Sequence, residues 1–168
     1  NLLEIKNKKS KLLIDFLKVG KVIGIINDEM EFGPRALMNR SIVLKTSDVS
    51  CNSWLNKRLN RTEFMPFAPV TIDKLAKKSF VGVNNKDETF KFMTSTVRVT
   101  KNFKKYSPAV CHIDGTARPQ ILKKKDNIFI YNLIEKWNKS SKELSLINTS
   151  FNSHEEPIIC KYEEGIKE

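Results

Sequence analysis

The sequence contains little glycine, proline or cysteine, with only six, six and three of these residues among 168. So few glycines and prolines exclude a collagen-like or low-complexity chain. The sequence also has no run of about 18 apolar residues, as a membrane helix requires, and no apolar N-terminal segment of the signal-peptide kind. The cysteines are widely spaced and form no CxxC motif, which argues against a disulfide framework. We therefore expect no membrane association and a cytoplasmic location.

The residues that are present favour a globular domain. Hydrophobic residues make up 40% of the chain and include ten phenylalanines, enough to build a core and to exclude global disorder. A length of 168 residues fits one domain. Because the numbering begins with asparagine and not methionine, we expect residues 1–168 to be one domain of a longer polypeptide.

The lysines and arginines that give the chain its positive charge are distributed differently along the sequence. Thirty Lys and Arg stand against 19 Asp and Glu, a net charge of +11. The lysines are scattered, as on a solvated surface, whereas four of the six arginines are clustered: Arg35, Arg40, Arg58 and Arg61. Arginine forks favour bidentate binding of phosphate groups. An anionic ligand is therefore indicated, and nucleotide, acyl phosphate and nucleic acid all remain open.

Hydrophobic spacing predicts a mixed α/β chain without internal repeats. Helices are predicted over 2–18, 73–80 and 129–139, with a further one beginning near Asp48; Gly20 is the expected end of the first. Strands are predicted over 21–26, 41–44, 90–99, 110–114, 117–122 and 144–148. Pro66 and Pro69 predict that any strand within 64–71 is short or lies at an edge. The basic runs 101–105 and 123–125 are predicted to be loops.

Three segments carry more polarity than a core requires. Residues 31–41 place Arg35 and Arg40 after a Gly-Pro turn, which suits an anion. Residues 114–120 place Thr116 and Arg118 after Gly115, whose conformational freedom permits close approach of a ligand, and Asp114 is available to orient the arginine or hold a cation. Residues 146–157 place Asn, Thr, Ser and Asn at the end of a buried strand, where open α/β sheets bind ligands.

Two other constellations have weaker support. Cys111, His112, His154 and Cys160 match no usual zinc spacing, and a core cysteine beside a hydrogen-bonded histidine explains them better. Ser150 and His154 lack the elbow motif of a hydrolase nucleophile. No P-loop or GxGxxG motif is present.

Four sequence blocks, EFGPRALMNRSIV, MPFAPV, DGTARPQ and LINTSFNSHEEPII, together resemble the C-terminal domain of the carbamoyltransferase family, which includes nodulation-factor and antibiotic O-carbamoyltransferases. The blocks occur in the family's order between about residues 24 and 165. Each block alone is modest evidence, but the ordered set is highly specific. The resemblance implies a YrdC-like α/β fold with a twisted mixed sheet flanked by helices.

The resemblance also implies a division of labour. The C-terminal domain would activate carbamoyl phosphate with ATP and Mg²⁺, giving carbamoyl-adenylate. An N-terminal domain of the same polypeptide, with its own metal, would then transfer the carbamoyl group to a hydroxyl of a small molecule or sugar. No metal ligand is expected within this chain, and a homodimer is possible in such a family.

Matching positions give the candidate site. Arg35, Arg118 and Ser150 are expected to be catalytic, with both arginines holding phosphate or adenylate. Arginine forks and hydroxyl donors would stabilise the charge that grows on phosphate oxygens. The residues expected to bind the substrate or nucleotide are Arg40, Arg61, Thr116, Asn148, Thr149 and Asn152.

One block departs from the family pattern. Many members read K-x-R-E, two residues, then R-P-F-A-P, whereas this chain has one residue fewer, with Asn60, Thr62 and Met65 in place of Lys, Arg and Arg. Arg58 or Arg61 would have to substitute. Two alternatives therefore stay open: a degenerate domain that only docks against its N-terminal partner, and a basic nucleic-acid-binding module. Turnover of ATP that depends on carbamoyl phosphate separates the enzyme from both.

Overall fold

The computed structural model describes residues 10–59, 66–84, 88–153 and 155–167. The helices are α1 (Ser10–Lys18), α2 (Ser50–Arg58), α3 (Asp73–Ser79), α4 (Lys101–Tyr106), α5 (Ile128–Ser141) and α6 (Tyr162–Lys167). The strands are β1 (Ile23–Ile26), β2 (Arg40–Leu44), β3 (Ala68–Ile72), β4 (Val97–Arg98), β5 (Thr116–Ala117), β6 (Gln120–Leu122) and β7 (Leu146–Ser150). None of the described helices is long and apolar enough to cross a bilayer.

Five strands form a mixed sheet in the order β1-β2-β7-β3-β6. The pairs β1–β2, β2–β7 and β7–β3 are antiparallel, and β3–β6 is parallel. Strands β4 and β5 form a separate antiparallel pair. The expected α/β fold, with a mixed sheet flanked by helices, is confirmed. Strand β7 comes last among the strands in the sequence but lies in the middle of the sheet.

Helix α5 shows how the apolar spacing builds the core. Its buried residues recur at helical intervals, so one face packs against the sheet and α1. Trp137 is almost completely buried there. The side chain of Asn127 caps the helix by accepting from the main-chain N–H of Ile130. At the other end, Lys142 takes a left-handed conformation, with φ of 67°.

The predicted helix that ends at Gly20 is confirmed within the described residues. Gly20 has φ of 74°, and the main-chain N–H of Lys21 donates to the carbonyl of Phe16. This is the left-handed helix ending that glycine favours, because it has no Cβ to clash with the backbone. The part of that prediction that covers residues 2–9 lies outside the described residues.

Strand β3 contradicts the expectation of an edge strand. It lies between β7 and β6, and all five of its residues are buried. Proline is tolerated because the register with β6 begins only at Val70, so Pro69 has only β7 as a strand neighbour. The missing N–H of proline therefore costs no bond on the β6 side.

Three further expectations are wrong in their details. Of the predicted strand 90–99, only Val97–Arg98 pairs as a strand, and Val99 makes a single bridge with Phe80. Residues 90 and 91 belong to a 3₁₀ turn over Glu88–Lys91. Met93 is buried with φ of 55°, which breaks the extended backbone that alternation alone predicted. The basic run 101–105 is not a loop but lies in α4, because the Thr100 hydroxyl caps that helix. Residues 110–114 are likewise not a strand, since Pro108–Val110 forms a 3₁₀ turn.

Candidate functional site

A cavity of about 510 Å³ lies at the C-terminal end of β7. Its walls come from the loop before β2, the start of β3, the segments before β4 and around β5, and the loop after β7. The lining residues are Pro34, Arg35, Ala36, Pro66, Phe67, Ala68, Met93, Thr96, His112, Arg118, Asn148, Thr149, Ser150, Asn152, Ser153 and Glu155. The volume falls in the range of pockets that hold nucleotides and other small molecules.

The cavity brings together most of the residues singled out from the sequence. Six of the nine predicted site residues line it: Arg35, Arg118, Asn148, Thr149, Ser150 and Asn152. Arg40 and Thr116 do not line it, and Arg61 lies outside the described residues, as do Asn60, Thr62 and Met65 of the altered block. Three distant segments of the chain thus meet at one place, as the predicted site requires.

The two cavity arginines carry like charges in one small space. Arg35 is exposed and Arg118 is half-buried. Burial lowers the pKa of the Arg118 guanidinium, and the positive charge of Arg35 lowers it further. Among the described residues neither guanidinium has a hydrogen bond or an ion pair, and the cavity carboxylate of Glu155 is exposed. A bound anion would offset this repulsion, so the pair suits a phosphate group.

Hydrogen bonds from a carboxylate fix the loop that carries Arg35. Glu31 Oε1 accepts from the main-chain N–H groups of Leu37, Asn39 and Arg40, at 2.5, 2.7 and 3.2 Å. Met38, fully buried within this loop, has φ of 85°, an uncommon conformation for a residue with a side chain. The loop is therefore held in one shape by its own sequence.

Two buried amides tie the same loop to the sheet. Asn148 Nδ2 donates to the carbonyl of Ala36 at 3.0 Å and to Gln120 Oε1 at 2.8 Å. Gln120 Nε2 donates to the carbonyl of Leu37 at 3.1 Å. Because main-chain carbonyls only accept, these contacts fix the orientation of both amides. The predicted ligand residue Asn148 therefore has its amino group committed to the loop beside Arg35, and its Oδ1 accepts no bond.

The end of β7 supplies further polar groups. Ser150 lines the cavity, and within the described residues its hydroxyl makes no hydrogen bond, so it is available to a ligand. Asn152 Nδ2 donates to the carbonyl of Glu156 at 2.6 Å, which holds the loop after the strand. This loop keeps Ser153 and Glu155 at the rim of the cavity. The arrangement agrees with the rule that open sheets bind ligands beyond strand ends.

Arg40 has a different environment from the one expected. Its side chain is 7% exposed, and its guanidinium donates to the carbonyls of Asn27, Asp28, Asn39 and Cys160 at 2.9–3.1 Å. The Nε and Nη1 hydrogens of Arg40 are therefore bonded to carbonyls and are not available to an anion. Arg40 therefore connects the β1–β2 loop to the segment before α6.

The Thr116 side chain is also bonded to other protein groups and does not line the cavity. Its hydroxyl donates to Asp114 Oδ1 at 2.7 Å and lies 3.0 Å from His112 Nδ1. Gly115 has φ of 78°, as the predicted turn requires. Asp114 accepts from Thr116 and is not found bonded to Arg118. The carboxylate that the sequence offered to an arginine or a cation instead shapes the turn.

Several lining residues stand outside the predicted site, among them His112, which the sequence suggested only as a hydrogen-bonded histidine. The signal that was present is the turn itself: three residues, Gly115 among them, separate His112 from Thr116. Across this turn the main-chain N–H of His112 donates to the Thr116 carbonyl at 2.8 Å. The apolar wall of Phe67 and Met93 gave no such signal, because apolar residues predict only a core.

The cysteines near the site are free, and no group of three His, Cys, Asp or Glu side chains in the described ranges is placed to hold a metal ion. Burial raises the pKa of the Cys111 thiol to about 11. Its Sγ donates weakly to the carbonyl of Ser107. Cys111 is consequently a neutral thiol beside the cavity.

We expect this thiol to be unreactive. At pH 8, about three units below its pKa, roughly one Cys111 thiol in a thousand is ionised. Cys160 is exposed. Iodoacetamide at pH 8 should therefore label Cys160 at least about tenfold faster than Cys111, as peptide mass spectrometry measures. Faster labelling of Cys111, with Cys160→Ser as the control that removes the competing site, would contradict this.

Known proteins match the chain over most of its length. The family model described as "Carbamoyltransferase C-terminus" matches residues 14–168. Nodulation protein NolO of Bradyrhizobium diazoefficiens is 33% identical over 153 residues, covering 90% of this chain and 28% of NolO. The 3′-hydroxymethylcephem-O-carbamoyltransferase of Amycolatopsis lactamdurans is 28% identical over 141 residues, covering 83% of this chain and 26% of that protein.

A solved structure has the same fold. Full-length HypF, crystallised in its phosphate- and nucleotide-bound form, matches with a TM-score of 0.63 and 18% identity, covering 95% of this chain and 23% of HypF. At that identity the likeness concerns the fold alone. The chain spans only 26–33% of the length of three of the curated relatives that it matches.

Proposed function

Since the chain belongs to the carbamoyltransferase family and corresponds to its C-terminal region, we propose that its cavity activates carbamoyl phosphate with ATP. Carbamoyl phosphate, ATP and one water would give carbamoyl-adenylate, pyrophosphate and phosphate. The observation that carries the proposal is the pair Arg35 and Arg118, two guanidinium groups in one cavity with no acidic partner among the described residues. Such a pair is costly unless an anion binds between its members.

The lining residues would divide the work by their chemistry. Arg35 and Arg118 would hold the phosphate oxygens, on which charge grows as the bonds to phosphorus change. The Ser150 hydroxyl would donate to the same group from the opposite segment, at the end of β7. The Asn148–Gln120 amide pair would keep the Arg35 loop in position, so that the donors need no rearrangement when the ligand binds.

The HypF structure, which shares this fold over 23% of its length, is of a phosphate- and nucleotide-bound form, and this supports the same ligand classes here. ATP is ordinarily bound as its magnesium complex, and that cation would enter with the nucleotide. Three free cysteines agree with the reducing cytoplasm, where we place the reaction.

Transfer of the carbamoyl group to an acceptor would require a second domain. We infer that residues 1–168 act with an N-terminal domain of the same polypeptide, because the curated relatives are three to four times as long as the part that matches. That domain, with its metal, would pass the carbamoyl group to a hydroxyl, as the name of the cephem O-carbamoyltransferase describes for that relative.

Binding of nucleotide should stabilise the chain. A ligand that binds only the folded state raises the free energy of unfolding, by about 2.7 kcal/mol at a concentration one hundred times its Kd. We expect millimolar ATP with Mg²⁺ to raise the Tm by several degrees in a thermal melt of the 168-residue chain. An unchanged Tm in protein shown to be folded by circular dichroism would contradict the proposal.

The reaction itself is tested by exchange of labelled pyrophosphate into ATP. Exchange should require carbamoyl phosphate, because the reverse step needs carbamoyl-adenylate. A degenerate docking domain would bind neither substrate and give no exchange. A nucleic-acid-binding module would bind RNA in a salt-dependent manner that ATP does not reverse.

A further inference from the structure

His112 is the one cavity residue whose ring is held by a chain of hydrogen bonds that ends in a carboxylate. The Thr116 hydroxyl donates to Asp114 Oδ1 at 2.7 Å and lies 3.0 Å from His112 Nδ1. These two bonds with Thr116 lower the pKa of Asp114, so that this group is a carboxylate that can only accept. The turn is closed by His112 N–H donating to Thr116 and by Gly115 N–H donating to His112.

The chain of bonds fixes which ring nitrogen carries a proton. A hydroxyl has one hydrogen, and that of Thr116 is given to Asp114. The Thr116 oxygen must therefore accept from His112, so Nδ1 carries a hydrogen whether the ring is neutral or charged. Any change of protonation then takes place at Nε2, which has no partner among the described residues.

We propose that His112 is a proton-dependent contact for the anion held by Arg35 and Arg118. When protonated, Nε2 donates a hydrogen bond to the anion; when neutral, Nε2 presents a lone pair to it and binding weakens. The inference rests on the proposed function for the presence of an anion in the cavity. It adds a third contact, which switches with pH, to the two permanent charges.

The charged groups around the ring favour this role. Arg35 and Arg118 share the cavity with His112 and keep their charge at all physiological pH values. Glu155 lines the same cavity from the loop after β7 and is exposed, and Asp114 lies behind Thr116 in the turn. The negative charge of a bound anion favours a proton on a neighbouring ring, which couples proton uptake to anion binding.

The experiment uses sulfate, because it resembles phosphate and does not itself titrate between pH 5.5 and pH 8. Histidine side chains ordinarily gain their proton at about pH 6.5, within this range. In titration calorimetry, the sulfate affinity of the 168-residue chain should fall about tenfold from pH 5.5 to pH 8, the lower end of what a charged hydrogen bond contributes. The change should be less than about twofold in His112→Gln, whose amide keeps a donor at both pH values.

Two further variants separate the role of the ring from its structural effects. Thr116→Val keeps the shape of the side chain but removes the hydroxyl that fixes the ring, so its pH response should lie between those of the other two proteins. Lys124→Gln removes an exposed charge away from the cavity and should respond like the unaltered chain.

The outcomes distinguish this inference from the proposed function. If His112→Gln, folded by circular dichroism, responds to pH as the unaltered chain does, His112 is not the switching contact and the inference fails alone. If His112→Gln does not fold, an unaltered response in Thr116→Val overturns the inference in the same way. If the unaltered chain binds sulfate at neither pH, the anion site fails, and the proposed function fails with it.

Discussion

Lysine in place of either Arg35 or Arg118 is expected to weaken the binding of ATP or carbamoyl phosphate by about 1.5–3 kcal/mol at each site, the range for hydrogen bonds to charged groups. Lysine keeps the charge but loses the planar fork that grips two oxygens at once. Both arginines line the cavity, and the charge of Arg35 already lowers the pKa of Arg118. Calorimetric titration of each variant measures the loss.

A matched substitution controls for charge and for the general effect of exchanging arginine. Arg98 is exposed in β4 and does not line the cavity, so Arg98→Lys should bind as the unaltered chain does. The double variant of Arg35 and Arg118 should lose less than the sum of its parts, because both residues act on one ligand. Unchanged binding in all three single variants would mean that the cavity reads only net charge, as a nucleic-acid-binding surface does, and equal losses in all three would contradict a specific role for the two cavity arginines.

Replacement of Arg40 by methionine is expected to lower the free energy of unfolding by about 1.5–3 kcal/mol, because it removes the buried guanidinium whose charged hydrogen bonds join two segments of the chain. Four main-chain carbonyls accept from this guanidinium, from both the β1–β2 loop and the segment before α6. Methionine fills a similar length but donates nothing. Urea unfolding followed by circular dichroism gives the change in the free energy of unfolding.

The same variant tests whether Arg40 contributes to the ligand. Since Arg40 does not line the cavity, the folded fraction of Arg40→Met should keep its sulfate affinity. Arg98→Met, an identical change at an exposed position, should alter stability by less than about 0.5 kcal/mol. A stable Arg40→Met protein that has lost sulfate binding would restore Arg40 to the predicted ligand set.

The elements with strong local signals were predictable from the sequence. Helix α5 has an apolar stripe and an asparagine cap, and α1 ends at a glycine, so local periodicity and capping specify both. The prediction of a strand over 90–99 was wrong because the alternation of side chains does not show that Met93 takes a positive φ. Pro69 in β3 led to the wrong expectation of an edge strand, because proline disrupts a sheet only where a neighbouring strand needs its N–H, and the register with β6 starts after Pro69.

The site was predictable in its residue types more than in their roles. The family resemblance singled out Arg35, Arg118 and Ser150, and all three line the cavity, because each lies on a polar segment that follows a turn or ends a strand. Arg40 and Thr116 look the same in the sequence, yet their side chains bond to carbonyls and to Asp114 that only the folded chain brings near. Which donors remain for a ligand depends on these long-range contacts, and local spacing does not specify them.

The central position of β7 in the sheet determines when, during synthesis of the chain, the cavity can form. The strand joins β2 to β3, so the β1–β2 hairpin and the β3–β6 pair have no contact through the sheet until residues 146–150 insert between them. Before residues 146–150 have been made, the cavity lacks the wall that Asn148, Thr149 and Ser150 supply, and pairings over such sequence distances form slowly. The cavity is therefore complete only after synthesis has passed β7.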